Sequence, residues 1–501
     1  MKKILATLLG ACLAPLLFSQ VQAQSPVQAQ SPIAVVRLAP PQKLAKNIDE
    51  FARAVAPEAS AQNQMLIAVM LAQFGYPFFD GVDPSENVLI GIFDNGAQKP
   101  HTVLAAKADP KTAAICRSLA QMQNTSKDGW FFANLGAPIG DAEFGAMADA
   151  LLAESAQKSS ADASIEIRAD KMKFGHFPTL PDTPQALQFK QFAASIEKIL
   201  SECQSFRIDA NLDARRLELD AAVSAKPESR MAKLFNSYPK RAKVRGLGAI
   251  SPDALLTVIG STNSAAASEL SIDMALETIS PFVKLDARQI ELAKEISKNS
   301  AETFATAISI APDMKNPEFV AVSQTSCSAE KIAEYFASLS GLKINSFDAE
   351  GKPLEVKLSS SLKKADIDGI DAYENKMSIS PADDEQTTFF CVKDGLLVQA
   401  GSAQSLKAAV ESLSKPNPAL AKYAKSDNDI TALANVRQLF KLLSSGADIG
   451  DVKNIPGFVK FKRDAATFRT EIDTKTIALL VKFATEAAAK NAGAAPAQNS
   501  N

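Results

Sequence analysis

The sequence predicts an α+β protein of two internally duplicated modules, each a mainly antiparallel sheet packed against amphipathic helices. Three observations predict it. KDGWFFANLG at 127–136 and KDGLLVQAGS at 393–402 share one plan: Lys-Asp-Gly, an apolar run, then a glycine. Helical stripes and strand-like runs alternate in the same order in both halves. Each half then reaches a hairpin of alternating residues, at 205–223 and 458–476. Repeats are sought first because they change the whole fold assignment.

In the first half a leading helix is marked by Leu44, Ile48, Phe51 and Val55. NVLIGIFDNGAQKPHTVLAAKA (87–108) reads as two strands about the turn signal Asp94-Asn95-Gly96. Asp109-Pro110 opens a helix, Asp as N-cap and Pro at the first helical position. The Lys-Asp-Gly turn leads into strand 130–134. Helix 141–152 carries Phe144, Met147 and Leu151 on one face, and strand 164–170 follows. Helix 185–203 places Phe189, Phe192, Ile196, Ile199 and Cys203 at spacings of three and four, an amphipathic stripe. The hairpin 205–223 bends at Asp213-Ala214-Arg215.

The second half repeats this. Leu285, Leu292 and Ile296 mark its leading helix. Strand 319–325 runs to Ser328, an N-cap with Ile332, Tyr335, Phe336 and Leu339 behind it. Gly395 leads to strand 396–400, then helix 403–413, strand 429–435 and helix 436–444. The closing hairpin bends at Asp464-Ala465-Ala466. Asp109 and Ser328 lie 219 residues apart and the two Lys-Asp-Gly turns 266, which locates one insertion in the second copy, near 342–390. The modules run from 33 to 240 and from 245 to 485, with a disordered tail at 486–501. The alternative is an ordinary α+β chain in which Asp-Gly recurs because it makes good turns.

The chain opens MKKILATLLGACLAPLLFSQVQAQ. Lys2 and Lys3 form a positive n-region, Ile4 to Phe18 an apolar stretch, and Val21-Gln22-Ala23 a small-residue cleavage site. A signal peptide over 1–23 follows, with a second possible cut after Ala29. The expected location is extracytoplasmic, periplasmic or secreted. Leu9-Gly10-Ala11-Cys12 resembles a lipoprotein signal, but the apolar run before Cys12 is short for one. Net charge is −2 for the whole chain. No basic block supports nucleic-acid binding or an anionic membrane surface. Residues 60–79 carry no charge, yet Met65 to Phe79 is only 15 residues, short of the roughly 20 a span needs. A helix buried on all sides is expected there, or one docking on lipid or a partner.

Catalytic spacings are missing. The two histidines, His101 and His176, accompany no G-x-S-x-G elbow and no paired-His zinc spacing. Ser328 and Lys331 fit Ser-x-x-Lys, but neither Ser-Asp-Asn nor Lys-Thr-Gly accompanies them. Asp366-Ile-Asp368-Gly369-Ile-Asp371 has its glycine too early for an EF-hand loop. Gly246-Leu-Gly248 lacks the third glycine of a nucleotide loop. No metal and no cofactor is implied. Cys116, Cys203, Cys327 and Cys391 survive processing. They read either as two disulfides, 116–203 and 327–391, in an oxidising compartment, or as buried thiols. Trp130, Phe78 and Phe79 are the candidate contact residues of an apolar groove. The functional expectation is an exported, non-catalytic envelope protein that binds or scaffolds a partner, such as another envelope protein, or an apolar ligand. The alternatives are a carboxylate-dependent extracytoplasmic hydrolase and a lipid-anchored surface protein.

Overall fold

A computed structural model describes residues 31–57, 81–94, 100–113, 123–171, 183–238, 243–261, 265–300, 303–310, 317–347, 352–380, 382–424, 427–443 and 452–493. Up to residue 238 the elements are β1 (Ala34–Leu38), α1 (Pro41–Val55), β2 (Val88–Phe93), β3 (His101–Lys107), β4 (Asn124–Lys127), β5 (Trp130–Asn134), α2 (Asp141–Glu154), β6 (Ala163–Ile167), α3 (Pro184–Ser201), β7 (Cys203–Leu212), β8 (Arg216–Ala225) and α4 (Arg230–Asn236). Next come β9 (Leu256–Ser261), α5 (Ala265–Ile279), α6 (Ala287–Asn299), β10 (Thr303–Ile310), β11 (Pro317–Gln324), α7 (Ala329–Ser338), β12 (Leu342–Phe347), β13 (Pro353–Ile367), β14 (Ile370–Ser380), β15 (Ala382–Lys393) and β16 (Leu396–Ala400). The chain ends through α8 (Ala403–Ser412), α9 (Pro418–Ala424), β17 (Ile430–Ala434), α10 (Val436–Leu443), β18 (Ile455–Lys462), β19 (Ala465–Asp473) and α11 (Thr474–Gly493).

The strands form one 19-stranded sheet. Its pairings, all antiparallel, run β4-β5-β3-β2-β1-β6-β7-β8 and continue β19-β18-β17-β9-β10-β11-β16-β15-β14-β13-β12. The protein is therefore mixed α+β with a large antiparallel sheet, as the alternation of residues predicts. β8 and β19 join the first eight strands to the rest, in register from Ala465 opposite Ser224 to Asp473 opposite Arg216.

Helices pack on both faces. Successive strand residues point to opposite sides, so Val398 packs in one core cluster with Leu406 and Ala409 of α8, while Leu397 packs in another with Ile332 and Ala333 of α7. Likewise Phe132 lies with Phe144, Met147 and Leu151 of α2, and Phe131 with Ala113 on the other side. Fully burying a Leu or Phe contributes about 1.5–3 kcal/mol, so Phe93, Phe132, Leu151, Phe390 and Leu406, all below 2 % exposed, anchor the two outer thirds of the sheet. Near the β8–β19 seam, Phe51 and Val55 of α1 pack on Leu217 together with Ile477 and Val481 of α11. There, α4 places Ala232 and Phe235 against Ala225 and Phe461.

Several local expectations change. Cys203 opens β7 instead of ending α3. The buried residues of α3 are Ala186, Gln188 and Ala193, while Phe189 is exposed. A 3.6-residue stripe states which residues share a face but not which neighbour arrives. The neighbour here is α5 with the segment after it: Phe192 meets Phe282 edge-on, and Gln188 Nε2 donates to the carbonyls of Pro281 (2.9 Å) and Asn345 (3.1 Å). α5 itself lies outside the predicted leading helix, which corresponds to α6. The last bend sits at Arg463-Asp464, where Arg463 has positive φ. α11 continues to Gly493, past the predicted start of the tail at 486. The predicted insertion contains β12, β13 and β14, strands that lie beyond β15 at one edge of the sheet.

Candidate functional site

A cleft of about 650 Å³ opens beside α8, within the range of small-ligand sites. Three pieces of chain build it. The first is the segment entering β9. Gly246 takes φ +74°, and a single 3₁₀ turn, Leu247–Ala249, follows. Gly248 then passes so close to the end of α8 that an added Cβ would lie 2.0 Å from the Ser412 carbonyl and 2.4 Å from that of Lys415. Only glycine permits that approach. This accounts for the Gly-Leu-Gly spacing without a nucleotide.

The second piece is the loop Pro416-Asn417-Pro418. Asn417 Nδ2 donates to the carbonyls of Leu247 (3.1 Å) and Ile250 (2.8 Å), fastening loop to segment. The third is α8, with Ser402 as N-cap accepting from the Ser405 amide at 3.1 Å. Ser405, Ala408, Ala409 and Ser412 line the cleft at helical spacings of three and four. Ala307, Ser309 and Val320 of β10 and β11 form the opposite side.

One carboxylate belongs to the lining: Glu318 on β11, exposed at the N-terminal end of α8. Its Oε1 accepts from the Ser402 hydroxyl at 2.8 Å and from that of Ser405. A negative group is favoured there by the dipole of α8. At the other end, Lys415 Nζ donates to the Ser412 hydroxyl at 3.3 Å. The cleft thus has an acid at one end and small side chains along α8. Sequence reading missed it. Pro416, Pro418 and the Gly-Leu-Gly segment carried the signal, but their meeting depends on tertiary placement.

The sequence-selected residues lie elsewhere. Trp130 is 6 % exposed and fills the core under α2 with Leu89, Phe93 and Val103. Its position on β5 faces α2, where it packs as a core residue. Phe78, Phe79, Cys116, His176 and the whole stretch 60–79 lie outside the described residues. Cys203, Cys327 and Cys391 are free, buried thiols. A 327–391 bridge is not formed: Cys391 packs in the α8 cluster and Cys327 in the α7 cluster, on opposite faces of the sheet. Burial pushes the Cys391 thiol up to about 11. Ser328 is the N-cap of α7, accepting from the Lys331 amide, and Lys331 pairs with Glu295 at 2.9 Å. Asp368-Gly369 is the positive-φ turn between β13 and β14. His101 opens β3 opposite Phe93.

A second group of charges is buried. Arg37, 2 % exposed, donates to Glu154 (2.9 Å), to Glu166 (3.0 Å) and to the backbone and side chain of Gln157. Arg168 donates to the other oxygen of Glu154 at 2.7 Å. Arg37 and Glu154 are buried, Glu166 and Arg168 lie at the margin, and the four satisfy one another as a structural lock. Among the described residues, no group of three or more His, Cys, Asp or Glu side chains is placed to hold a metal ion, and no helix is long and apolar enough to cross a membrane. Comparisons with family models, with curated proteins and with solved structures find no match to this chain.

Proposed function

We propose that this chain is an exported envelope protein that binds a ligand or partner without chemically changing it, built from two copies of one sheet-and-helix module. The observation that carries the binding role is the cleft beside α8. Its lining contains one acid, no imidazole and no thiol, and that acid is engaged by the hydroxyls of Ser402 and Ser405 at the start of α8. An exported location rests on the leader sequence, with a cut after Ala23 or Ala29.

Two copies are supported by strand order. Strands β1, β2, β3, β4, β5, β6, β7 and β8 correspond to β9, β10, β11, β15, β16, β17, β18 and β19, and both sets run in the same spatial order. Register agrees as well. Lys107 faces Trp130 and Ala105 faces Phe132, as Gln324 faces Leu396 and Val322 faces Val398. Asp162 accepts the Leu212 amide through its side chain and the Ala39 amide through its carbonyl, and its own amide donates to Ala210. Asp429 makes the same three bonds with Phe461, Ser261 and Val459.

Native mass spectrometry of the mature chain after gentle extraction tests the binding role. The expected result is a co-purifying small molecule or protein. A consistently ligand-free monomer contradicts it. N-terminal sequencing of the same sample reads the leader cut, and a lipid-bearing Cys12 would replace the soluble reading with the anchored one.

A further inference from the structure

We draw no further inference here: the strongest candidate, the exposed apolar strip across the β7–β8–β19 seam where Ile208 and Phe468 flank Ala221 in register, is a bare sheet face, and nothing in the structure shows what covers it.

Discussion

Asp220 and Arg469 face each other across the β8–β19 seam, and the guanidinium holds both carboxylate oxygens, at 2.6 and 3.0 Å. In the two-module reading they are one position in two copies. On that reading the antiparallel β8–β19 pairing is a pseudo-twofold contact, and this pair lies on its axis. Identical copies would set Asp against Asp or Arg against Arg there, an unfavourable cross-strand pair. Opposite charges select the joined arrangement over like-with-like pairing of first halves.

Both partners reach solvent, with side-chain exposures of 29 % and 55 %, so the pair itself is worth at most about 1 kcal/mol. A double-mutant cycle on Asp220→Ala and Arg469→Ala, read by urea unfolding, should give a coupling of that size that shrinks in 1 M salt. The exchange Asp220→Arg with Arg469→Asp should restore most of the stability that Asp220→Arg alone loses. Failure of the exchange would mean that neighbours such as Glu218 and Glu471 fix the polarity.

The lock around Arg37 yields a sharper contrast. At the positions that the two-module reading makes equivalent, β9 and β17 carry Ile259 and Leu433, packed with Leu420 in one apolar cluster. Removing one partner of a buried ion cluster costs about 3–5 kcal/mol, whereas replacing the whole cluster by apolar groups is often neutral or stabilising. Arg37→Ile alone should destabilise by that amount. Arg37→Ile with Glu154→Leu, Glu166→Leu and Arg168→Leu, which replaces all four charges, should recover most of it. Chemical denaturation measures both.

Much of this was legible in the sequence, and what was not has physical causes. The strand 396–400, the helix from Ala403 and the β7–β8 hairpin follow from period-two and period-3.6 patterns, and the Asp-Gly turns mark their joins. Asp128 and Asp394 share positive φ with Gly129 and Gly395, the two-residue turn that Asp-Gly favours. The burial of Trp130 was not legible, because size alone does not reveal facing: on β5 it packs toward α2. The cleft escaped because Gly248, Glu318 and Asn417 are far apart in the chain and meet only after folding.

Glycine positions separate by conformation. Gly129 has φ +78° and open space at its Cβ, so Gly129→Ala should cost about 1–2 kcal/mol, from backbone strain alone. Gly145, inside α2, also has open space and no such φ. Gly145→Ala should stabilise by about 0.5–1 kcal/mol. Thermal unfolding of the two variants should therefore move in opposite directions.

Glu277 on α5 connects to Lys198 of α3 and to Arg230 of α4, the latter at 2.8 Å. The hydrogen bond from Lys198, and then Arg230, hold its carboxyl below the ordinary 4.5. A lowered carboxylate contributes stability above the unfolded-chain value and loses it as pH falls through the folded value. The native chain should lose stability below about pH 4.5 more steeply than Glu277→Gln. Identical acid limbs would remove this site from the account.

Buried thiols report on opening of the core. Cys203, Cys327 and Cys391 all have thiols raised first by burial. At pH 8 iodoacetamide should leave all three unmodified in the native chain and label all three in denaturant, as peptide mapping reads site by site. Rapid native labelling of Cys391 would contradict its place under α8.

The repeated topology is tested most directly by cross-strand nuclear Overhauser contacts in the deuterated, selectively labelled chain. The account predicts backbone contacts between Lys107 and Trp130, between Gln324 and Leu396, and between Asp220 and Arg469. Finding Leu396 beside a strand other than β11 and β15, or β8 without β19 as its neighbour, would contradict it.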